Sequence, residues 1–216
     1  MTTFLNLINY IITQTIVATL YYTVIKVTTA EPLELPLTFI DKFFTPHYAA
    51  VWIYMSFFFL LMSGVTFTKR ENSFHCMKVV LMNSIIASII FIFFPTKITY
   101  WDYSPYITEN TLSYEFMMLI KDNDQTYNCF PSLHISNSLV ALYFLNKDKK
   151  TFWKILNTSW MLAIIWSVIS TKQHTFYDVI GGTVLAILSY VIINFIDNKK
   201  NNINNNHYDQ VKPDIN

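Results

Sequence analysis

The chain has 216 residues, of which 53% are hydrophobic and only 13% are charged. A soluble domain carries about a quarter charged residues, so this composition argues against one. The net charge of +1 supplies no basic field, and we expect no nucleic-acid partner.

Six apolar segments predict an all-α integral membrane protein, a six-transmembrane helix bundle. In chain order they cover residues 4–26, 48–67, 77–95, 131–146, 155–172 and 178–197. The fourth segment is the weakest by hydropathy, because polar side chains crowd its first turns: Ser132, His134, Ser136, Asn137 and Ser138. Such side chains are costly in a membrane unless they face a cavity or one another, so this crowding indicates a functional region.

The chain end differs in composition from the rest. Its last segment, "NKKNNINNNHYDQVKPDIN", is rich in asparagine and has no apolar period. We therefore expect one membrane domain over residues 1–197 and a disordered cytoplasmic tail over residues 198–216.

Lysine and arginine concentrate in three segments, which sets the predicted orientation. These are residues 68–78, residues 146–154 and the start of the tail. Short loops rich in these residues stay in the cytoplasm. With six spans, the three segments and the N-terminus share that side. The outer side receives residues 27–47, 96–130 and 173–177.

The two cysteines fall on opposite sides of this predicted map. Cys76 lies inside and Cys129 outside, so a hydrocarbon core of about 30 Å separates them and we expect free thiols. Scarce arginine and abundant asparagine, isoleucine and lysine are typical of an AT-rich genome. This composition suggests a bacterial inner-membrane protein with an outward-facing site.

Three polar stretches from separate parts of the chain reach the predicted outer face. They are "FPTKITYWDYSP" at residues 94–105, "CFPSLHISNS" at residues 129–138 and "STKQHTFYDV" at residues 170–179. Because all three adjoin apolar spans on one side, they can meet in a single pocket. We expect the active site there, at the depth of the lipid headgroups.

His174 and Asp178 are four residues apart and share one face if the sixth helix starts near His174. A carboxylate bonded to one ring nitrogen fixes the tautomer and leaves the other nitrogen free, which suits a nucleophile or base. The alternative is a buried structural pair at a helix start.

Ser132 is a plausible N-cap of the fourth helix, and His134 lies in its first turn. The amides of that turn form a ready site for phosphate, and His134 could give a proton to a leaving oxygen. The alternative is an ordinary capping serine beside an interfacial histidine. Lys97 and Lys172 lie near the same face, where a lone lysine most often snorkels. No metal motif is recognisable, and we expect neither metal nor other cofactor.

These stretches resemble the motifs of the type 2 phosphatidic acid phosphatase superfamily: K-x6-R-P, P-S-G-H and S-R-x5-H-x3-D. Pro131 to His134 match the second motif, with Leu133 in place of glycine. His174 and Asp178 match the third, with Val168 in place of arginine. Lys97 matches the start of the first motif, but Ser104 stands at its arginine. The lysine-glutamine-histidine sequence looks more like the branch that includes inositol phosphorylceramide synthases.

The resemblance implies a role for each matching residue. His174 is the expected nucleophile that forms a phosphohistidine, Asp178 its orienting carboxylate and His134 the general acid. The expected phosphate-binding groups are Ser132, the Leu133 amide, Lys97 and Lys172. Lys172 would replace an arginine without offering its bidentate fork.

The predicted function is a metal-independent membrane lipid phosphatase acting on a phospholipid or isoprenoid phosphate, with membrane lipids as surroundings. Transfer of a phosphate-bearing headgroup between lipids is the close alternative. A proton-coupled small transporter is a rival of another class, but it predicts polar residues near mid-membrane rather than at span ends. An inactive relative is a further alternative, since both family arginines are missing.

Overall fold

The computed structural model describes residues 2–98, 112–124 and 128–211. Ser104 and Pro105, part of the first motif, lie outside these ranges. The helices are α1 (Thr2–Val27), α2 (Phe39–Phe43), α3 (Val51–Met55), α4 (Phe57–Thr66), α5 (Arg70–Phe93), α6 (Leu112–Asp124), α7 (Leu133–Asn146), α8 (Thr151–Ser170) and α9 (Phe176–Val211). A 3-10 turn, Tyr48–Ala50, precedes α3. Two short parallel strands, β1 (Leu33–Glu34) and β2 (Thr96–Lys97), pair with each other.

Five helical segments in the described ranges are long and apolar enough to cross a membrane. They are Thr2–Val27, Tyr48–Thr66, Arg70–Phe93, Thr151–Ser170 and Phe176–Ile203. Each overlaps one of the predicted spans. The expectation of an all-α membrane protein is therefore confirmed, with five candidate spans.

The fourth predicted segment forms a short helix, α7, at the centre of the bundle. It has 14 residues and would cover about 21 Å at a rise of 1.5 Å per residue, less than the hydrocarbon core. α7 packs against α4, α5, α8 and α9. Its polar residues Ser136, Asn137 and Ser138 are buried against these neighbours, and the Asn83 side chain of α5 donates to the Asn137 Oδ1 at 2.9 Å. This enclosure explains why the segment is weakly apolar.

The predicted outer loop 96–130 is partly helical. α6 packs mainly against the 3-10 turn and α3. Trp52 of α3 stacks on Phe116 with ring centroids 5.0 Å apart, and its indole N–H donates to the Ser113 hydroxyl at 2.9 Å. The sequence reading missed α6 because its apolar face covers only one side of a short helix.

The last helix is longer than the predicted span. α9 continues to Val211, whereas disorder was expected from residue 198. The division of the chain into a membrane domain over 1–197 and a separate tail stays a prediction. Cys76 and Cys129 are both buried, and neither forms a disulfide.

All three glycines lie in close contact with α7 or with the segment that precedes it. A Cβ added to Gly64 of α4 would lie 2.6 Å from the Ala141 Cα. A Cβ on Gly182 of α9 would lie 2.6 Å from the Ser132 carbonyl oxygen, and one on Gly181 would meet the Phe130 ring. These contacts leave no room for a side chain, so they hold α4, α7 and α9 together backbone to backbone.

Candidate active site

The turn between α8 and α9 carries the first group of candidate residues. Residues 171–175 are all buried, although they connect two helices and hold a lysine and a histidine. Lys172 has a φ of 54°, in the left-handed region that non-glycine residues rarely adopt. The turn is therefore enclosed and has a specific backbone conformation.

His174 and Asp178 meet as the sequence predicts. The His174 Nδ1 lies 3.5 Å from Asp178 Oδ2, and the two side chains are 8% and 0% exposed. The same carboxylate oxygen accepts the Thr175 amide at 2.7 Å, which fixes the carboxylate at the start of α9. At 3.5 Å the histidine contact is an ion-pair distance, longer than a hydrogen bond. Catalytic hydrogen bonds often shorten only when substrate binds.

Ser132 connects this pair to α7. Its backbone N–H donates to the Asp178 carbonyl at 3.2 Å, and its hydroxyl accepts the Ile135 amide at 3.4 Å as the N-cap of α7. The predicted cap is thus present. Because α7 begins at Leu133, the amides of its first turn lie beside Asp178 and its partner histidine.

His134 touches His174 directly. The His134 Nδ1 and the His174 Nε2 are 3.0 Å apart, so the two residues predicted as acid and nucleophile form one hydrogen bond. On its other side the His134 Nε2 lies 2.9 Å from the Tyr54 hydroxyl. A chain of contacts therefore runs from Asp178 through both imidazoles to Tyr54.

None of the described hydrogen bonds of Lys172 reaches His134 or His174. Its ammonium donates to the carbonyl oxygens of Asp41, at 2.6 Å, and Phe44, at 2.5 Å. Burial lowers the pKa of this amine to about 8, and the nearby Asp41 partly opposes that shift. A direct role on phosphate would require Lys172 to leave these two acceptors.

Asp41 holds the same turn from the other side. Its Oδ1 accepts the Phe176 amide at 2.8 Å, at the first residue of α9. Its Oδ2 accepts the backbone N–H and the hydroxyl of Thr38, at 2.8 and 2.7 Å. Asp41 is 2% exposed. Together Lys172 and Asp41 fasten the α8–α9 turn to the segment around α2.

The remaining predicted ligands are less well placed. Lys97 approaches Glu34 at 3.9 Å across the two strands, and its side chain is 41% exposed. Val168, at the family's arginine position, is fully buried in the core. Neither residue adds a described positive charge beside His174.

A cavity of about 490 Å³ opens onto the half-buried His134. Its walls come from α1, α3, α4, α6 and α7, and most of them are apolar. The polar side chains at its surface include Gln14 and Asn137, deeper in the bundle than His134. Among the candidate residues, only His134 and Leu133 line it. The cavity thus reaches the histidine pair from the His134 side.

Two residues of this arrangement were not predicted. Asp41 carried a signal, since Thr38 and Asp41 have the spacing of a capping box and the structure forms one. Tyr54 carried no such signal, because it is one of several aromatic residues in an apolar run. Its contact with His134 depends on how α3 packs against α7.

The geometry agrees with a comparison against known protein families. The model of the PAP2 superfamily matches residues 33–192, well over half of the chain. The chain belongs to the PAP2 superfamily. The match covers both histidine motifs and most of the bundle, and it supports a phosphatase-type function for this PAP2 protein. No curated protein and no solved structure gives a significant match. In the described ranges of this PAP2 protein, no group of three or more His, Cys, Asp or Glu could hold a metal ion.

Proposed function

We propose that the protein is a metal-independent lipid phosphatase that works through a phosphohistidine on His174. The observation that carries this proposal is the position of His174 between Asp178 and His134, at 3.5 and 3.0 Å. One ring nitrogen faces a carboxylate and the other faces a second histidine. This order suits an aimed nucleophile with a proton donor beside it.

The Asp178 carboxylate determines which ring nitrogens of His174 and His134 carry a proton. With both rings neutral, a bare His174 Nδ1 would place its lone pair against the Asp178 carboxylate, so that nitrogen carries the proton. The His174 Nε2 is then the free nitrogen and accepts from the His134 Nδ1–H. The His174 nitrogen that attacks phosphorus and the His134 proton that goes to the leaving oxygen thus face each other.

The cavity supports a lipid substrate. It is mostly apolar and it ends at His134, so a hydrocarbon chain can lie in it while the phosphate reaches the histidines. The substrate in this proposal is a phospholipid or an isoprenoid phosphate.

Phosphate must be held here without the two family arginines. We assign this role to Ser132 and to the Leu133 amide at the start of α7, where the helix dipole favours an anion. Lys97 and Lys172 remain proposed contributors to the positive charge. In this scheme fixed dipoles and amines provide the stabilisation that a metal ion often supplies to phosphoryl transfer.

A second candidate function is headgroup transfer between lipids, as in the inositol phosphorylceramide synthase-like branch. The enclosure of the site favours it, since His174 is only 8% exposed and the visible approach is apolar. An enclosed phosphohistidine would react with an alcohol carried by a second lipid more readily than with water. Product analysis with and without an added lipid alcohol separates the two reactions.

The lipid phosphatase proposal predicts a specific assay result. Purified protein in detergent should release phosphate from a lipid phosphate panel in the presence of a chelator, because the proposed mechanism uses no metal. Vanadate, which mimics the pentacoordinate phosphoryl state, should inhibit. The measurement is phosphate release with and without chelator. Activity that disappears with chelator and returns with a divalent ion would contradict the mechanism.

We also propose six spans, with α7 as the core of the fourth, in a bacterial inner membrane and with the site outside. Since Cys129 is buried, introduced cysteines are the better probes. In a background of Cys76→Ala and Cys129→Ala, Glu31→Cys should react with an impermeant thiol reagent in intact cells. Lys149→Cys, which is also exposed, should react only after lysis. The reverse labelling pattern would move the site to the cytoplasm.

A further inference from the structure

Tyr54 has an unusual position for an aromatic residue in a membrane bundle. It is 2% exposed, lines the cavity and places its hydroxyl 2.9 Å from the His134 Nε2. The His134 ring packs against the rings of Tyr54 and Phe57, with centroids 5.0 and 4.5 Å away. The two aromatic rings restrict the orientation of the imidazole, and the Tyr54 hydroxyl contacts its Nε2.

The direction of the Tyr54 hydrogen bond follows from the carboxylate at the far end of the chain. Asp178 favours the proton on His174 Nδ1, so His174 Nε2 accepts from His134 Nδ1–H. A neutral His134 then has a bare Nε2, which can only accept, and the Tyr54 hydroxyl donates to it. Both hydrogen bonds, from Tyr54 to His134 and from His134 to His174, then point toward Asp178.

We propose that Tyr54 is a positioning residue that sets the tautomer of His134 and resupplies the proton that His134 gives to the leaving group. This proposal rests on the proposed phosphohistidine mechanism. It assigns a function to a side chain that neither histidine motif contains. A neutral imidazole can pass a proton by taking one up at Nε2 as it releases another from Nδ1.

The proton balance is complete in both half-reactions. First, the bond from His174 Nε2 to phosphorus forms while the bond from phosphorus to the alcohol oxygen breaks. That oxygen takes the proton from His134 Nδ1, and His134 Nε2 takes the Tyr54 proton, which leaves a phenolate. Then water attacks phosphorus and the nitrogen–phosphorus bond breaks. The proton of that water goes to His134 Nδ1, and Nε2 returns its proton to Tyr54.

The test compares Tyr54→Phe with Tyr143→Phe, which removes a hydroxyl that bonds Tyr190 and lies outside the cavity. The measured quantity is the single-turnover rate of phosphoenzyme formation from a long-chain alkyl phosphate and from p-nitrophenyl phosphate. Tyr54→Phe should slow the alkyl reaction about 100-fold with little change in KM, the lower end of what general acid–base catalysis contributes, because His134 itself is retained. The nitrophenyl reaction should change little, because that group leaves without a proton. Tyr143→Phe should match the wild type on both.

The outcomes separate the two proposals. Equal rates for Tyr54→Phe and wild type on the alkyl phosphate would overturn the role of Tyr54 alone, and so would equal losses on both substrates. Absence of any phosphoenzyme in the wild type would instead overturn the proposed function. If Tyr54→Phe does not fold, a proton inventory of the wild-type alkyl reaction decides: two protons in flight are expected, and a linear one-proton dependence contradicts the relay.

Discussion

His174→Ala should abolish turnover of every phosphate ester, whatever its leaving group. The loss should be about 10⁴-fold or more, the scale of removing a nucleophile from an enclosed site. His134→Ala should abolish turnover of a lipid alkyl phosphate but still form phosphoenzyme from an aryl phosphate, because a nitrophenolate leaves unprotonated. The two histidines face each other at 3.0 Å, yet only His174 has a carboxylate behind it.

Trapping the intermediate separates these roles. Brief reaction with labelled substrate followed by denaturation should leave an acid-labile, alkali-stable phosphate on the wild type and on His134→Ala with the aryl substrate. His174→Ala should carry none. His47→Ala is a matched control, since its side chain is exposed, and it should behave as wild type. A label that persists in His174→Ala and disappears in His134→Ala would exchange the two assignments.

Lys172→Met should lower stability and activity together. The substitution keeps the apolar volume but leaves the carbonyls of Asp41 and Phe44 without their donor. Each buried acceptor left unpaired costs about 1–3 kcal/mol, so the free energy of unfolding should fall by about 2–6 kcal/mol. Thermal unfolding in detergent measures this loss. Activity falls as well, because the turn that carries His174 loses one of its two connections to the segment around α2.

Lys172→Arg and Lys97→Met serve as comparison variants for Lys172→Met. Lys172 is 3% exposed, and we expect the larger planar guanidinium not to reproduce its two carbonyl contacts, so Lys172→Arg should not restore stability. Lys97 is partly exposed and Lys97→Met should unfold as the wild type does. If Lys172→Met keeps its melting temperature and Lys172→Arg keeps part of the activity, Lys172 binds phosphate as the family resemblance implies and does not serve to anchor the turn.

The long apolar helices were predictable because lipid imposes the same requirement along their whole length. α7 was recognised only as an anomaly, since its polar residues are buried among neighbouring helices and do not face lipid. His174 and Asp178 were predictable as a pair because helix geometry places them on one face. The contacts of Lys172 with Asp41 and of His134 with Tyr54 join residues far apart in the chain. No local pattern specifies such contacts, so only the packed structure reveals them.

The close glycine contacts determine which wall of the site can move. Gly64 and Gly182 hold α4, α7 and α9 at backbone contact, and these helices cannot separate without opening empty space. The opposite wall, α3 with α6, is joined by a ring stack and an indole hydrogen bond. Phosphorus has no room between two nitrogens 3.0 Å apart, so the proposed mechanism requires the two imidazoles to separate when substrate binds. Because the glycine contacts fix α7, that movement falls to the His134 side chain and to its hydrogen bond with Tyr54.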